Sequence, residues 1–112
     1  MELTSIDYAN YLRYLAMERF FTILNKTQVN KMLFICYGLY LSMTNKKLFS
    51  DDTPKAWPFG PVFPRVYKRF DNYQGISHST IAAIQPNEQI KELFLMPMVE
   101  LVQWMLYTKL VK

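Results

Sequence analysis

Residues 56–70 read AWPFGPVFPRVYKRF. Three prolines and one glycine in fifteen positions, set among Trp57, Phe59, Phe63, Tyr67 and Phe70, describe a stiff turn that carries its own apolar anchors. A solvated linker would not hold so many large rings. Gly60-Pro61 predicts a helix start, because proline's missing N–H costs nothing at the first helical position. Val62, Val66, Phe70 and Tyr73 then recur at helical spacing and predict an inward face. Arg65, Lys68 and Arg69, at i, i+3 and i+4, fall on the opposite face and leave a cationic strip in water. The stretch is a buried hinge with a charged exterior, and no reaction chemistry is written in it.

Upstream of the hinge, Thr4-Ser5-Ile6-Asp7 has the form of a capping box, with a hydroxyl followed three residues later by a carboxylate. A first helix should begin there, carry Ile6, Ala9, Leu12, Ala16, Phe20 and Ile23 on one face, and end before Asn25. Asn25 and Gln28 repeat the capping pattern and open a second helix that runs to about Met43. From Met32 to Met43 nearly every side chain is apolar, which predicts a helix at the centre of the fold, buried all round. Those 12 residues are well short of the roughly 20 that a bilayer crossing needs. Gly38, in mid-helix, predicts a close approach by another element, and the turn after Trp57 is the expected one. Asn45 to Lys55 reads as a polar loop, with Leu48 and Phe49 as a local anchor and Asp51-Asp52 as a solvated acidic turn.

Downstream, the third helix should stop near Tyr73, with Gly75 as its cap. Ile76 to Ile84, ISHSTIAAI, is rich in β-branched residues and predicts a short strand, for which Lys47 to Phe49 or Ala56-Trp57 are the available partners. Pro86 and Asn87 start a final helix through Ile90, Leu93, Phe94, Leu101, Trp104 and Met105, which Pro97 must kink or divide. Met96, Met98, Trp104, Met105 and Tyr107 on that helix either close the core or bury themselves in a second copy of the chain.

Length and composition agree with a single compact domain over residues 1–112, mostly helical (α+β), with a small β-hairpin or extended patch. Hydrophobic residues make up 51% and charged ones 20%, so the chain has enough apolar surface to pack. Aromatics at 16% exceed what one small core needs, which directs some of them toward a partner. The net charge of +4 is scattered from Arg13 to Lys112 and does not form a basic tail. Cys36 is the sole cysteine, which excludes an internal disulfide and suits the reducing cytoplasm. The opening MELTSIDYAN is acidic and polar where a signal peptide would be basic and then apolar.

Several motifs taken together resemble the Panacea domain, a SocA-like antitoxin family found in bacteria and their phages. They are Tyr8-Ala9-Asn10-Tyr11, Val29-Asn30-Lys31-Met32-Leu33-Phe34, Tyr37-Gly38-Leu39-Tyr40-Leu41, Leu48-Phe49, Lys55-Ala56-Trp57 and Phe59-Gly60-Pro61-Val62-Phe63-Pro64-Arg65-Val66-Tyr67. The resemblance covers the first two thirds of the chain. Residues 87–112 are shorter and oilier than the family's usual C-terminal part, a diverged or shortened third of the same domain. The resemblance implies a mostly helical fold, no catalysis, and a role in binding a cognate protein toxin and holding it inactive.

The residues themselves offer little chemistry to set against that reading. His78, the only histidine, stands in Ser77-His78-Ser79, and adjacency does not make a triad. One Cys and one His supply no metal cluster, and the three glycines are too isolated for a phosphate loop, so no cofactor is expected. Partner-binding candidates are Trp57, Phe59, Phe63, Arg65, Tyr67, Lys68 and Arg69. Lys31, Gly38, Gly60, Pro61 and Pro64 form the framework beneath them. The alternative function is a nucleic-acid-binding regulator that sets Arg65, Lys68 and Arg69 on phosphates.

Overall fold

The computed structural model describes residues 3–69 and 88–111. Among these, four helices and one hairpin follow the chain: α1 (Ser5–Phe20), α2 (Lys26–Thr44), β1 (Lys55–Trp57), β2 (Gly60–Val62), α3 (Pro64–Arg69) and α4 (Glu88–Val111). The expected strand at Ile76–Ile84, the cap at Gly75, and Phe70, Tyr73 and His78 lie outside the described residues.

Both helix starts read from sequence are present. Thr4 Oγ1 accepts from the Asp7 N–H at 3.2 Å, and Asp7 Oδ2 accepts from the Thr4 N–H at 2.8 Å. Asn25 and Gln28 make the same reciprocal pair at 2.8 and 2.9 Å. Each box satisfies donors that a helix N-terminus otherwise leaves open. The other end of α1 closes on Phe21, whose N–H reaches the Met17 carbonyl while Thr22 reaches that of Ala16. Phe21 adopts φ +50°, a left-handed conformation that glycine takes without strain, and its ring is 89% exposed. Phe21→Gly is therefore expected to stabilise the fold by about 1 kcal/mol, since it relieves the backbone and gives up no burial. A shift of the urea midpoint upward, with an unchanged slope, checks it.

Helix α2 packs against α1, α4, β2 and α3. Its buried stripe is Val29, Met32, Leu33 and Cys36, at i, i+3, i+4 and i+7. The expectation that it would be buried all round is corrected. Phe34, Ile35, Leu39, Leu41 and Met43 are exposed, because among the described residues the neighbouring elements cover only one side of the cylinder. Gly38 is exposed too, and a Cβ built there meets nothing within 4 Å, so no close approach explains it.

The core lies between α1, α2 and α4 and is strongly aromatic. Phe94 of α4 stands 5.7 Å from Tyr8 and 5.8 Å from Tyr11 of α1. Phe49, from the loop after α2, contacts Tyr8, Tyr37 and Phe63 at centroid distances of 6.0, 5.1 and 5.2 Å. Leu48 and Phe49 thus anchor their loop as their sequence suggests. Helix α4 runs through Pro97 without a break in its helical assignment and buries Ile90, Leu93, Phe94 and Met98.

The hairpin corrects one further expectation. Ala56 and Trp57 pair with Pro61 and Gly60, so β1 finds a partner across the two-residue loop Pro58-Phe59. The helix starts at Pro64, and Gly60-Pro61 belongs to β2. Between the strands Pro58 fixes a negative φ at the first loop position, which excludes the mirror-image turns that suit tight hairpins. The backbone recovers its course at Gly60, whose φ of +126° is open to glycine and strained for other residues. A Cβ at Gly60 would also stand 3.2 Å from Lys31 Cε, so the hairpin lies close over the Lys31 stem.

Candidate functional site

Sequence places Trp57 at the end of β1, Phe59 in the turn and Tyr67 on α3, and folding brings the three rings together. Trp57 meets Phe59 edge-on at 5.7 Å and Tyr67 at 5.1 Å, while Phe59 stacks on Tyr67 at 5.8 Å. Each ring therefore restrains the other two in geometries that aromatic quadrupoles favour. Trp57 and Phe59 remain 37% and 45% exposed, so the cluster presents an apolar edge to solvent. Lys26, at the start of α2, sets its Nζ 3.8 Å from the centre of the Tyr67 ring. That cation–π contact holds the tyrosine from behind.

Two buried polar side chains, Asn30 and Asp52, fix the frame under this cluster. Asn30 is 1% exposed; its Nδ2 donates to the Lys26 carbonyl and its Oδ1 accepts from the Phe63 N–H, both at 2.8 Å. It ties the exit of β2 to the first turns of α2. Asp52 Oδ2 accepts from the Arg65 and Val66 N–H groups at 3.0 and 3.3 Å, doing for α3 what a capping residue does from next door. Ser5 donates from its N–H and its hydroxyl to Asp51 at 2.9 Å each, which joins the start of α1 to the same loop. The expected solvated turn at Asp51-Asp52 is therefore a clasp between two helix N-termini. A buried Asn within an otherwise apolar stripe was the one local signal; the Asp52 contacts span 13 and 14 residues and left none.

The other candidates divide. Phe63 is fully buried, touching Tyr37 and Phe49, and no partner can reach it; this corrects its place among the docking residues. Its position just before α3 turns the ring into the core. Arg65, Lys68 and Arg69 are exposed as expected, but Arg65 is engaged by Asp51, donating to its carbonyl at 3.2 Å and lying 3.7 Å from its carboxylate. Lys68 and Arg69 on α3 and Lys55 on β1 are exposed. Pro64 takes the first position of α3, where its missing N–H is harmless, and Pro61 sits in β2 opposite Ala56.

Among the described residues no three His, Cys, Asp or Glu side chains come together as a metal site requires. Cys36 is buried in the core, and burial raises its thiol pKa far above the ordinary value, so the nucleophilic thiolate is suppressed. Burial, reinforced by nearby Glu88, likewise raises the Tyr11 phenol. No described helix is long and apolar enough to cross a membrane.

A helical body that holds one aromatic hairpin defines a small, mostly helical domain. The model of one family, described as antitoxin SocA-like, Panacea domain, matches residues 29–100, and the chain belongs to that family. The match takes in α2 from Val29 onward, the hairpin, α3 and α4 as far as Glu100, and leaves α1 outside it. No curated protein and no solved structure matches the chain. Membership suggests an antitoxin-type, non-catalytic role and, in general terms, a toxin partner.

Proposed function

We propose that this chain is a cytoplasmic antitoxin that neutralises one protein toxin by stoichiometric binding through the Trp57, Phe59 and Tyr67 edge. Lys55, Lys68 and Arg69 steer an acidic toxin surface onto that edge. The observation that carries the reading is the mutual packing of three partly exposed rings, two on the hairpin and one on α3, at a junction clamped by Asn30. Rings already held in place lose little freedom on binding, and tryptophan and tyrosine at the centre of an interface carry much of its energy.

Coexpression with the protein encoded beside it tests the reading. A toxic neighbour should become harmless and copurify in one-to-one ratio. Trp57→Ala and Phe59→Ala should each weaken the complex by about 30-fold, the equivalent of roughly 2 kcal/mol, while leaving helical content unchanged. A neighbour that is harmless alone, or a complex indifferent to both substitutions, removes the reading. The nucleic-acid alternative draws on the same cations and would show affinity falling steeply with salt. The hold of Asp51 on Arg65 takes one of its three expected phosphate contacts away.

A further inference from the structure

On the outward side of α2 a groove of about 540 Å³ opens between α2 and α4. Ile35 and Leu39 line one wall and Met96 and Pro97 the other, with Lys31 on the α2 side and Glu100 on the α4 side. The apolar surface continues past it. Met43 on α2 is 62% exposed, and Met96, Trp104 and Tyr107 on α4 are 69%, 63% and 63% exposed. An apolar face of this extent is more than a lone soluble domain ordinarily leaves in water.

The charges select the occupant. The α2 wall of the groove carries Lys31 and the α4 wall carries Glu100, so the face is complementary to itself. A two-fold axis running along the groove would lay α2 of one copy over α4 of the other and bring Lys31 to Glu100 twice, as an isologous interface requires.

We infer that the α2–α4 groove is the interface of a symmetric homodimer, with Met96 and Ile35 in its apolar centre and Lys31 paired to Glu100 of the second copy. Trp57, Phe59 and Tyr67 do not line the groove, although the Lys31 stem reaches under the hairpin that carries two of them, so the dimer is tested separately from toxin binding.

Sedimentation equilibrium across a concentration series tests it on the full chain. The unsubstituted protein should be a dimer at tens of micromolar, in the range of ordinary specific interfaces. Met96→Glu should weaken the dimer at least about tenfold, with unchanged circular dichroism because the side chain is exposed. Lys31→Glu and Glu100→Lys should each weaken it, and the double reversal should restore it to within about threefold of the original, because opposite charges again face each other. The inference is overturned by a monomeric wild-type chain, by a dimer that Met96→Glu leaves intact, or by a double reversal no tighter than the weaker single. A chain that is monomeric alone but loses its coexpressed toxin through Met96→Glu would assign the groove to the toxin, which overturns the dimer as well.

Discussion

Phe63→Ala is expected to lower the free energy of unfolding by about 3–5 kcal/mol, the range for deleting a fully buried phenylalanine. Small domains have only roughly 5–15 kcal/mol in all, so the variant should sit near the edge of folding. The ring has no solvent exposure and lies against Tyr37 at 5.5 Å and Phe49 at 5.2 Å, two groups held by different elements and unable to close the hole by one movement. Phe63→Leu keeps much of the volume and should cost about 1.5 kcal/mol or less. Urea titration of both variants reads the difference. A loss below about 1 kcal/mol for the alanine would mean that the site collapses freely and that the β2–α3 junction is not seated on this ring. The comparison with Trp57→Ala matters for function: that change should spare stability and reduce partner binding, whereas Phe63→Ala should reduce both together.

The same contrast shows where the sequence was legible. Phe59, Phe63 and Tyr67 have similar apolar character and stand four apart, so composition cannot tell which faces outward. The separation depends on where the helix begins, and there local rules offered two answers. Pro61 and Pro64 each satisfy the preference for proline at a first helical position. The Asp52 carboxylate decides between them, because it offers its acceptor to the N–H groups of Arg65 and Val66. With the helix begun at Pro64, the preceding residues are released to pair as β2, and Phe63 is directed into the core. The capping boxes were readable because both partners lie within one turn of each other. The apolar run of α2 misled for a related reason: hydrophobicity shows that a face needs covering and does not show how many elements are available to cover it. Gly38 shows the same limit, since a mid-helix glycine that suggested a crossing faces open solvent.

Because one carboxylate makes that decision, Asp52→Ala should cost more than a surface aspartate ordinarily does, about 2–3 kcal/mol. Asp52 is 6% exposed, and water has poor access to replace it. The substitution leaves the Arg65 and Val66 N–H groups, and the Thr53 N–H now bound to Oδ1 at 3.1 Å, without their acceptor. Ser5 would suffer less, since its hydroxyl keeps Asp51 at 2.9 Å and meets Asp52 only at 3.4 Å. The damage should therefore be local to α3. Hydrogen exchange should show the Arg65 and Val66 amides losing protection, while the Phe63 amide, held separately by Asn30 Oδ1, keeps most of its own. Asp52→Asn retains a carbonyl oxygen at the same place and should recover part of the loss, though a neutral acceptor binds two N–H groups less strongly than a carboxylate. Protected Arg65 and Val66 amides in the alanine variant would mean that some other group holds the helix start. If they do open, Tyr67 drifts from Trp57 and Phe59, and the exposed edge loses the member that stacks on one ring and braces the other. Affinity for the toxin should then fall in Asp52→Ala although no contacting side chain has been changed.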